Sequence, residues 1–284
     1  MTMPATGVAR ADGADLYYER RGSGPVLLLI VGGGGDCSYY SGLGDLLASR
    51  YTVLSYDRRG NSRSLLHSPA TAINMAEQST DALAVLAEAG FDSALIFGNS
   101  GGATIALDLA AHHPRAAEFV VAHEPPVPRV LPDAAEYLAI YDDIAYALAT
   151  DGWIAAFTMF QTRIGRLDPL IVEALLHPES RMPPGPQRDE MVRFSRNWEY
   201  LTKYEIDSFI HYEPDLAAIR ANGSRVTLGY GAQGTDPVAI EMSRVTAAKL
   251  GVECAEFPGG HIAPMERPKE FAATLIDVLA HHSA

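Results

Sequence analysis

Short apolar runs bounded by turn residues recur along this chain, and most are separated by stretches with helical spacing. The segment GVARADGADLYYERRG holds two extended runs on either side of Asp12-Gly13, which predicts a hairpin. PVLLLIV is a compact apolar run with polar turns at both ends, the pattern of a strand buried on both faces. YTVLSY, SALIF, EFVVAH, SRVTLGY and VECAEF repeat it. Between most of them, residues 72–89, 102–113, 237–250 and 266–281 carry apolar positions at the helical period. Strands alternating with helices predict an α/β fold with a mostly parallel central sheet covered on both faces.

The alternation stops from about 125 to 212. That stretch carries many of the chain's aromatic residues, Tyr141, Trp153, Phe157 and Trp198 among them, and PPGP breaks it at 183–186. It is expected to be a helical cap inserted between two strands, so that residues 1–124 and 213–284 form the core and 125–212 the cap. Internal repeats and low-complexity tracts are absent.

Composition narrows the function classes. With 284 residues, 48% of them hydrophobic, the chain can bury a full core. The formal net charge is −13, and Lys/Arg blocks do not exceed the pairs Arg20-Arg21 and Arg58-Arg59. A nucleic-acid partner and an anionic membrane surface are therefore not expected. Cys37 and Cys254 are too few and too far apart for a disulfide framework or a zinc site. MTMPATGVARADG has no apolar leader core, and no apolar run is long enough to span a bilayer, so a cytoplasmic protein is expected. A small-molecule substrate is the expected partner, and a homodimer is left open.

The chemistry centres on GNSGG at residues 98–102, between the apolar run ALIF and a helical run. Gly98, Ser100 and Gly102 fit G-x-S-x-G in its strand–turn–helix context. So sharp a turn strains the backbone at the serine and leaves no room for a side chain two positions either way. Ser100 would then project its hydroxyl above the sheet edge. The Gly101 amide would lie at a helix N-terminus, where backbone donors favour a developing negative charge.

Four motifs in this order resemble the α/β-hydrolase superfamily over nearly the whole chain outside the insertion. LLLIVGGGGD resembles the oxyanion loop after the third strand, and YTVLSYDRRGNSRS the D-x-R-G-x-x-x-S stretch after the fourth. GNSGG resembles the nucleophile elbow, and FPGGHIAPMERPKEFAATLIDVL the terminal histidine loop and last helix. The resemblance implies Ser100 as nucleophile, His261 as base and the amides of Gly33 and Gly101 as oxyanion donors, with Gly34 as second choice. Val31 stands where a histidine is commoner, and Gly101 where a bulkier residue is, leaving room over the nucleophile.

Among nine histidines, His261 is distinguished by following VECAEF and a Pro-Gly-Gly turn, at the sheet edge where sites form in open α/β sheets. Two carboxylates compete to orient it. The position usual in the superfamily falls on Gly234, with Asp236 two residues on, before Pro237, where it also fits a helix N-cap. Glu124, 24 residues after Ser100, resembles the acid of some haloalkane dehalogenases and of zearalenone-lactonase-like hydrolases. Glu124 is preferred, and Asp236 is the alternative. Asn99, Asp36, Cys37 and Tyr39 are candidate pocket residues, although packing and capping account for each; Asp57 and Arg59 are expected to brace loops.

These residues imply a serine hydrolase, an esterase or lactonase acting on a medium-sized, mostly apolar molecule, with no metal or organic cofactor. The alternatives are carbon–carbon or amide bond hydrolysis with the same triad, and a non-hydrolytic enzyme or receptor on the same fold.

Overall fold

The computed structural model describes residues 3–165 and 169–281. Among them, nine strands form one sheet. The strands are β1 (Ala5–Ala11), β2 (Ala14–Arg21), β3 (Val26–Ile30), β4 (Thr52–Tyr56), β5 (Leu65–Leu66), β6 (Ala94–Asn99), β7 (Ala117–His123), β8 (Val226–Gly231) and β9 (Cys254–Phe257). Their spatial order is β1-β2-β4-β3-β6-β7-β8-β9, with β5 beside β2. β1 and β2 form the expected hairpin, and β2 pairs antiparallel with β4. From β4 to β9 every pairing is parallel.

The central strands are buried because both faces carry apolar side chains, as their unbroken Val/Leu/Ile runs require. One face packs Leu28, Ile30 and Ile96 against helices α2 (Met75–Glu88) and α3 (Gly101–His112). The other packs Leu27, Leu29, Phe97 and Val121 against α1 (Ser41–Leu47) and the C-terminal helix that holds Phe271 and Leu275.

The stretch between β7 and β8 is helical, as its loss of alternation implied. It contains α4 (Ala134–Thr150), α5 (Trp153–Arg163), α6 (Pro169–Leu176), α7 (Pro178–Arg181) and α8 (Pro186–Tyr200). A π-helical turn over Leu201–Glu205 then leads into α9 (Ile206–His211). The PPGP break falls between α7 and α8, and Pro186 opens α8 where its missing N–H costs nothing. The insertion has apolar clusters of its own, one around Tyr141 and Leu201 and another around Phe157 and Trp198.

After the insertion come α10 (Leu216–Ala221), α11 (Pro237–Leu250), α12 (Ala263–Glu266) and α13 (Pro268–His281). Three elements were not expected. SGLGDLL carries two glycines and is a weak helix former, yet α1 is held by burial of Leu43 and Leu47. β5 and α10 are too short to show a period, and Asp215 caps α10 through the Ala218 N–H at 2.8 Å.

The sheet positions the site. The chain leaves β3 for β4 on one side and later places β6 on the other side of β3. The loop after β3 and the turn after β6 therefore flank a topological switch, where open α/β sheets form their crevice.

Candidate active site

At the end of β6 the chain turns into α3 within a few residues, and Ser100 takes up the strain with φ 56° and ψ −129°. Two glycines make the turn fit. A Cβ on Gly98 would lie 2.2 Å from the Gly102 carbonyl oxygen, and one on Gly102 would lie 2.1 Å from that of Ile30. Both contacts are with backbone, which cannot yield. The Ser100 N–H donates to the His123 carbonyl at 2.9 Å, tying the turn to β7.

β7 ends the same way. Glu124 has φ 49°, and its N–H donates to the Gly229 carbonyl of β8 at 2.9 Å. Its carboxylate is buried, with Oε1 accepting the Gly231 N–H at 2.8 Å and Oε2 contacting His261 Nδ1 at 2.6 Å. The His261 side chain is 46% exposed, and that of Glu124 is 2% exposed. Burial works against the charge of Glu124. The hydrogen bond and charge of His261 outweigh it, aided by His123 and the Gly231 N–H, and hold the carboxyl at about 2. Ionised Glu124 can only accept, so the proton of this contact sits on His261 Nδ1.

The other carboxylate lies elsewhere. Asp236 caps α11 by accepting the Val238 N–H at 3.0 Å. Gly234, at the position usual for the acid, presents its Cα to Glu124, and a Cβ there would stand 3.5 Å from Oε1. The Glu124 carboxylate, just past the end of β7, thus lies beside Gly234, where the resemblance implies an acid.

The loop after β3 lies against the serine, since a Cβ on Gly32 would be 2.8 Å from Ser100 Cβ. The insertion covers this loop. Leu201 sits over Gly33, Trp198 over Gly34 and the Phe209 ring over Gly101, each at under 3 Å from where a Cβ would be. The room expected above Gly101 is therefore taken by Phe209; the small residue admits an aromatic ring from the insertion. Among the described residues, no hydrogen bond joins Ser100 Oγ to His261, a contact that in hydrolytic sites commonly tightens when substrate binds.

The remaining candidates have structural work. Asp36 is buried; it caps the turn at Cys37–Tyr40 through the Ser38 N–H and accepts from Ser62 Oγ at 2.8 Å. Burial pushes the Cys37 thiol well above its ordinary range, leaving it unreactive. Tyr39 packs edge-on against Phe194, and Asn99 Oδ1 contacts His123 Nδ1 at 2.7 Å. Asp57 accepts the N–H groups of Cys37 and Arg63, each at 3.0 Å, and Arg59 forks onto Asp81 at 2.6 Å, so both brace loops.

Two features had no signal in the sequence. His123 is fully buried beneath the site among Phe97, Phe257 and Phe271. Arg58, visible only as half of a charge pair, is buried against Glu205 of the insertion, 147 residues away. Among the described residues, no three His, Cys, Asp or Glu side chains gather as metal ligands would, and no helix is long and apolar enough to cross a membrane.

This turn, acid and histidine stand on a scaffold that known proteins share. The model of the alpha/beta hydrolase family matches residues 27–274. The chain is 30% identical over 279 residues to an uncharacterized hydrolase, YraK, of Bacillus subtilis (strain 168), covering 96% of this chain and 95% of the relative. It is 24% identical over 290 residues to a zearalenone hydrolase of Bionectria ochroleuca, covering 97% of each. Among solved structures it resembles the enol-lactonase of Burkholderia xenovorans LB400, with a TM-score of 0.67 at 20% identity, over 96% of this chain and all of that one. The chain belongs to the alpha/beta hydrolase family and has its fold. It is a hydrolase of that type.

Proposed function

We propose that the protein is a serine hydrolase that opens an ester or lactone of a medium-sized, mostly apolar small molecule through an acyl-enzyme on Ser100. The observation that carries this reading is the 2.6 Å contact of His261 with Glu124, the residue after His123, whose carbonyl accepts the N–H of the strained Ser100. It rests on dividing the chain into a core (1–124, 213–284) and a cap (125–212).

Ser100 Oγ attacks the substrate carbonyl, and His261 Nε2 takes its proton. Glu124 accepts from Nδ1–H, fixing the tautomer and stabilising the imidazolium. The Gly33 and Gly101 amides receive the oxyanion of the tetrahedral intermediate. Collapse expels the alcohol, which takes the proton back from His261; in a lactone it stays tethered to the acyl group. Water, activated by His261, then attacks the acyl-enzyme and frees Ser100.

Leu201, Trp198 and Phe209 pack apolar side chains against Gly33, Gly34 and Gly101, surroundings that suit a hydrophobic acyl group better than a peptide or phosphate. Relatives named as zearalenone hydrolases favour ester or lactone substrates over carbon–carbon or amide bonds.

The test combines a fluorophosphonate with a substrate panel. An adduct on Ser100, lost in His261→Ala, with turnover of aryl esters or lactones, is the expected result. Absence of an adduct overturns Ser100 as the nucleophile. An adduct with turnover only of diketones or amides moves the activity to those bonds.

A further inference from the structure

Among the described residues, Arg58 is the largest fully buried side chain. It leaves the loop after β4 and meets three things. Its Nη1 and Nη2 fork onto Glu205 Oε1 and Oε2 at 2.6 and 2.9 Å. Its Nε donates to the Val31 carbonyl, and Nη2 also donates to the Gly32 carbonyl, each at 3.1 Å. The third is the Phe209 ring, whose centroid lies 5.5 Å from Arg58 Cζ. Asn61 Nδ2 adds a further donor to Glu205 Oε1 at 3.1 Å.

The Gly32 carbonyl and the Gly33 N–H belong to one peptide unit. In a trans peptide these groups point in opposite directions, so a donor that fixes the carbonyl also fixes where the N–H points. A charge-assisted hydrogen bond to that carbonyl polarises the unit as well, making its N–H a stronger donor. Four consecutive glycines follow Val31 and would otherwise leave this plane loosely defined.

We infer that Arg58, held by Glu205 of the insertion, is a positioning residue that orients the Gly33 amide toward the oxyanion. This inference rests on the serine-hydrolase reading above. It also gives the buried ion pair a purpose. An ion pair out of water contributes little net stability compared with well-packed apolar residues, but it holds its partners in one geometry. The same guanidinium backs the ring that covers Gly101. Docking of the π-helical turn onto the core and assembly of the oxyanion site become one event, because Glu205 belongs to the former and Arg58 touches the latter. Glu205 is seated where helical geometry departs from the α form, a departure found often at functional sites.

The test uses the full chain with p-nitrophenyl butyrate and a trifluoromethyl ketone, whose serine adduct carries the oxyanion. Arg58→Met, Arg58→Lys and Glu205→Gln are compared with wild type, each checked for cooperative thermal unfolding. In Arg58→Met, kcat is expected to fall about 10- to 100-fold, short of deleting a donor outright, with KM within about threefold. The ketone's inhibition constant is expected to rise by a matching factor. Arg58→Lys falls between, since one ammonium cannot serve both carbonyls and the carboxylate fork. Folded variants that keep wild-type kcat and ketone affinity, or that lose only KM, overturn the inference. Should Arg58→Met not fold, Arg58→Lys and Glu205→Gln decide by the same criterion. A wild-type chain that takes no fluorophosphonate on Ser100 removes the serine-nucleophile reading and this inference with it. A labelled wild type with unaffected variants removes this inference alone.

Discussion

Ser100 and Glu124 stand at the ends of neighbouring parallel strands, and both have a left-handed backbone, with φ of 56° and 49°. The residues before them, Asn99 and His123, are register partners whose side chains also meet at 2.7 Å. Two bulky or polar residues in a conformation that favours glycine, side by side on one sheet edge, are costly, by about 1–3 kcal/mol each. The cost is met by main-chain bonds from each turn to the next strand, Ser100 to β7 and Glu124 to β8. The proposed nucleophile and acid are thus products of the same device used twice.

Exchange of the two carboxylates separates their roles. Glu124→Gln keeps the size of the side chain but presents the wrong partner to His261 Nδ1, and kcat for an aryl ester should fall about 10³- to 10⁴-fold. Asp236→Ala removes a cap from α11 and should lower stability by about 1 kcal/mol, with kcat within about twofold of wild type. Steady-state kinetics and thermal unfolding of both variants check this. The opposite kinetic pattern would transfer the orienting role to Asp236.

Glycines of the elbow should divide by what faces them. Gly102→Ala meets the Ile30 carbonyl of a core strand and should cost more than about 4 kcal/mol, seen as insoluble or non-cooperatively unfolding protein. Gly101→Ala meets the far edge of the Phe209 ring, 2.7 Å from the new carbon, and should fold with a loss of about 1–3 kcal/mol. Its kcat should fall about tenfold or more because the amide and ring are displaced. Adding Phe209→Leu should recover part of that loss. A double variant no better than Gly101→Ala would show that the ring is not what opposes the methyl group.

What could be read in advance follows the reach of each interaction. The elbow was legible because strand, glycines, serine and helix are contiguous, and every requirement on Gly98 and Gly102 comes from a few residues away or from the next strand. The central strands β3, β4, β6, β7 and β8 were legible because their burial on both faces leaves unbroken apolar runs. Glu124 was harder. It contacts a histidine 137 residues away, and its neighbour in sequence is a Pro-Pro hinge that by itself suggests a loop. Only the family resemblance drew attention to it. Arg58 and Glu205 lay beyond reach, since each looks like an ordinary surface charge until the insertion folds back over the core. α1 was missed for the opposite reason, because two glycines hide a helix that tertiary burial supports.

Acid should destabilise the protein in two successive windows. Burial pushes the His123 pKa from 6.5 down to about 4, with Glu124 pulling it up and His261 pushing it down. The unfolded chain therefore takes up this proton first as pH falls. Stability from neutral His123 is full above about 6.5 and is lost between there and about 4. Glu124, about 2 folded against 4.5 ordinarily, contributes stability that is full above about 4.5 and lost as pH falls toward 2. Each shift corresponds to about 3 kcal/mol. Urea unfolding from pH 7 to 4 should therefore show wild type losing up to about 3 kcal/mol more than His123→Gln, which has no imidazole to charge. Below pH 4 the two curves should run parallel, and Glu124→Gln should flatten the remaining descent. The first window depends on an imidazole with one hydrogen-bond partner, Asn99, and a buried Nε2 with no partner among the described residues. Curves for wild type and His123→Gln that stay parallel from pH 7 to 4 would mean that the ring accepts its second proton without penalty, which a fully buried aromatic surround does not permit.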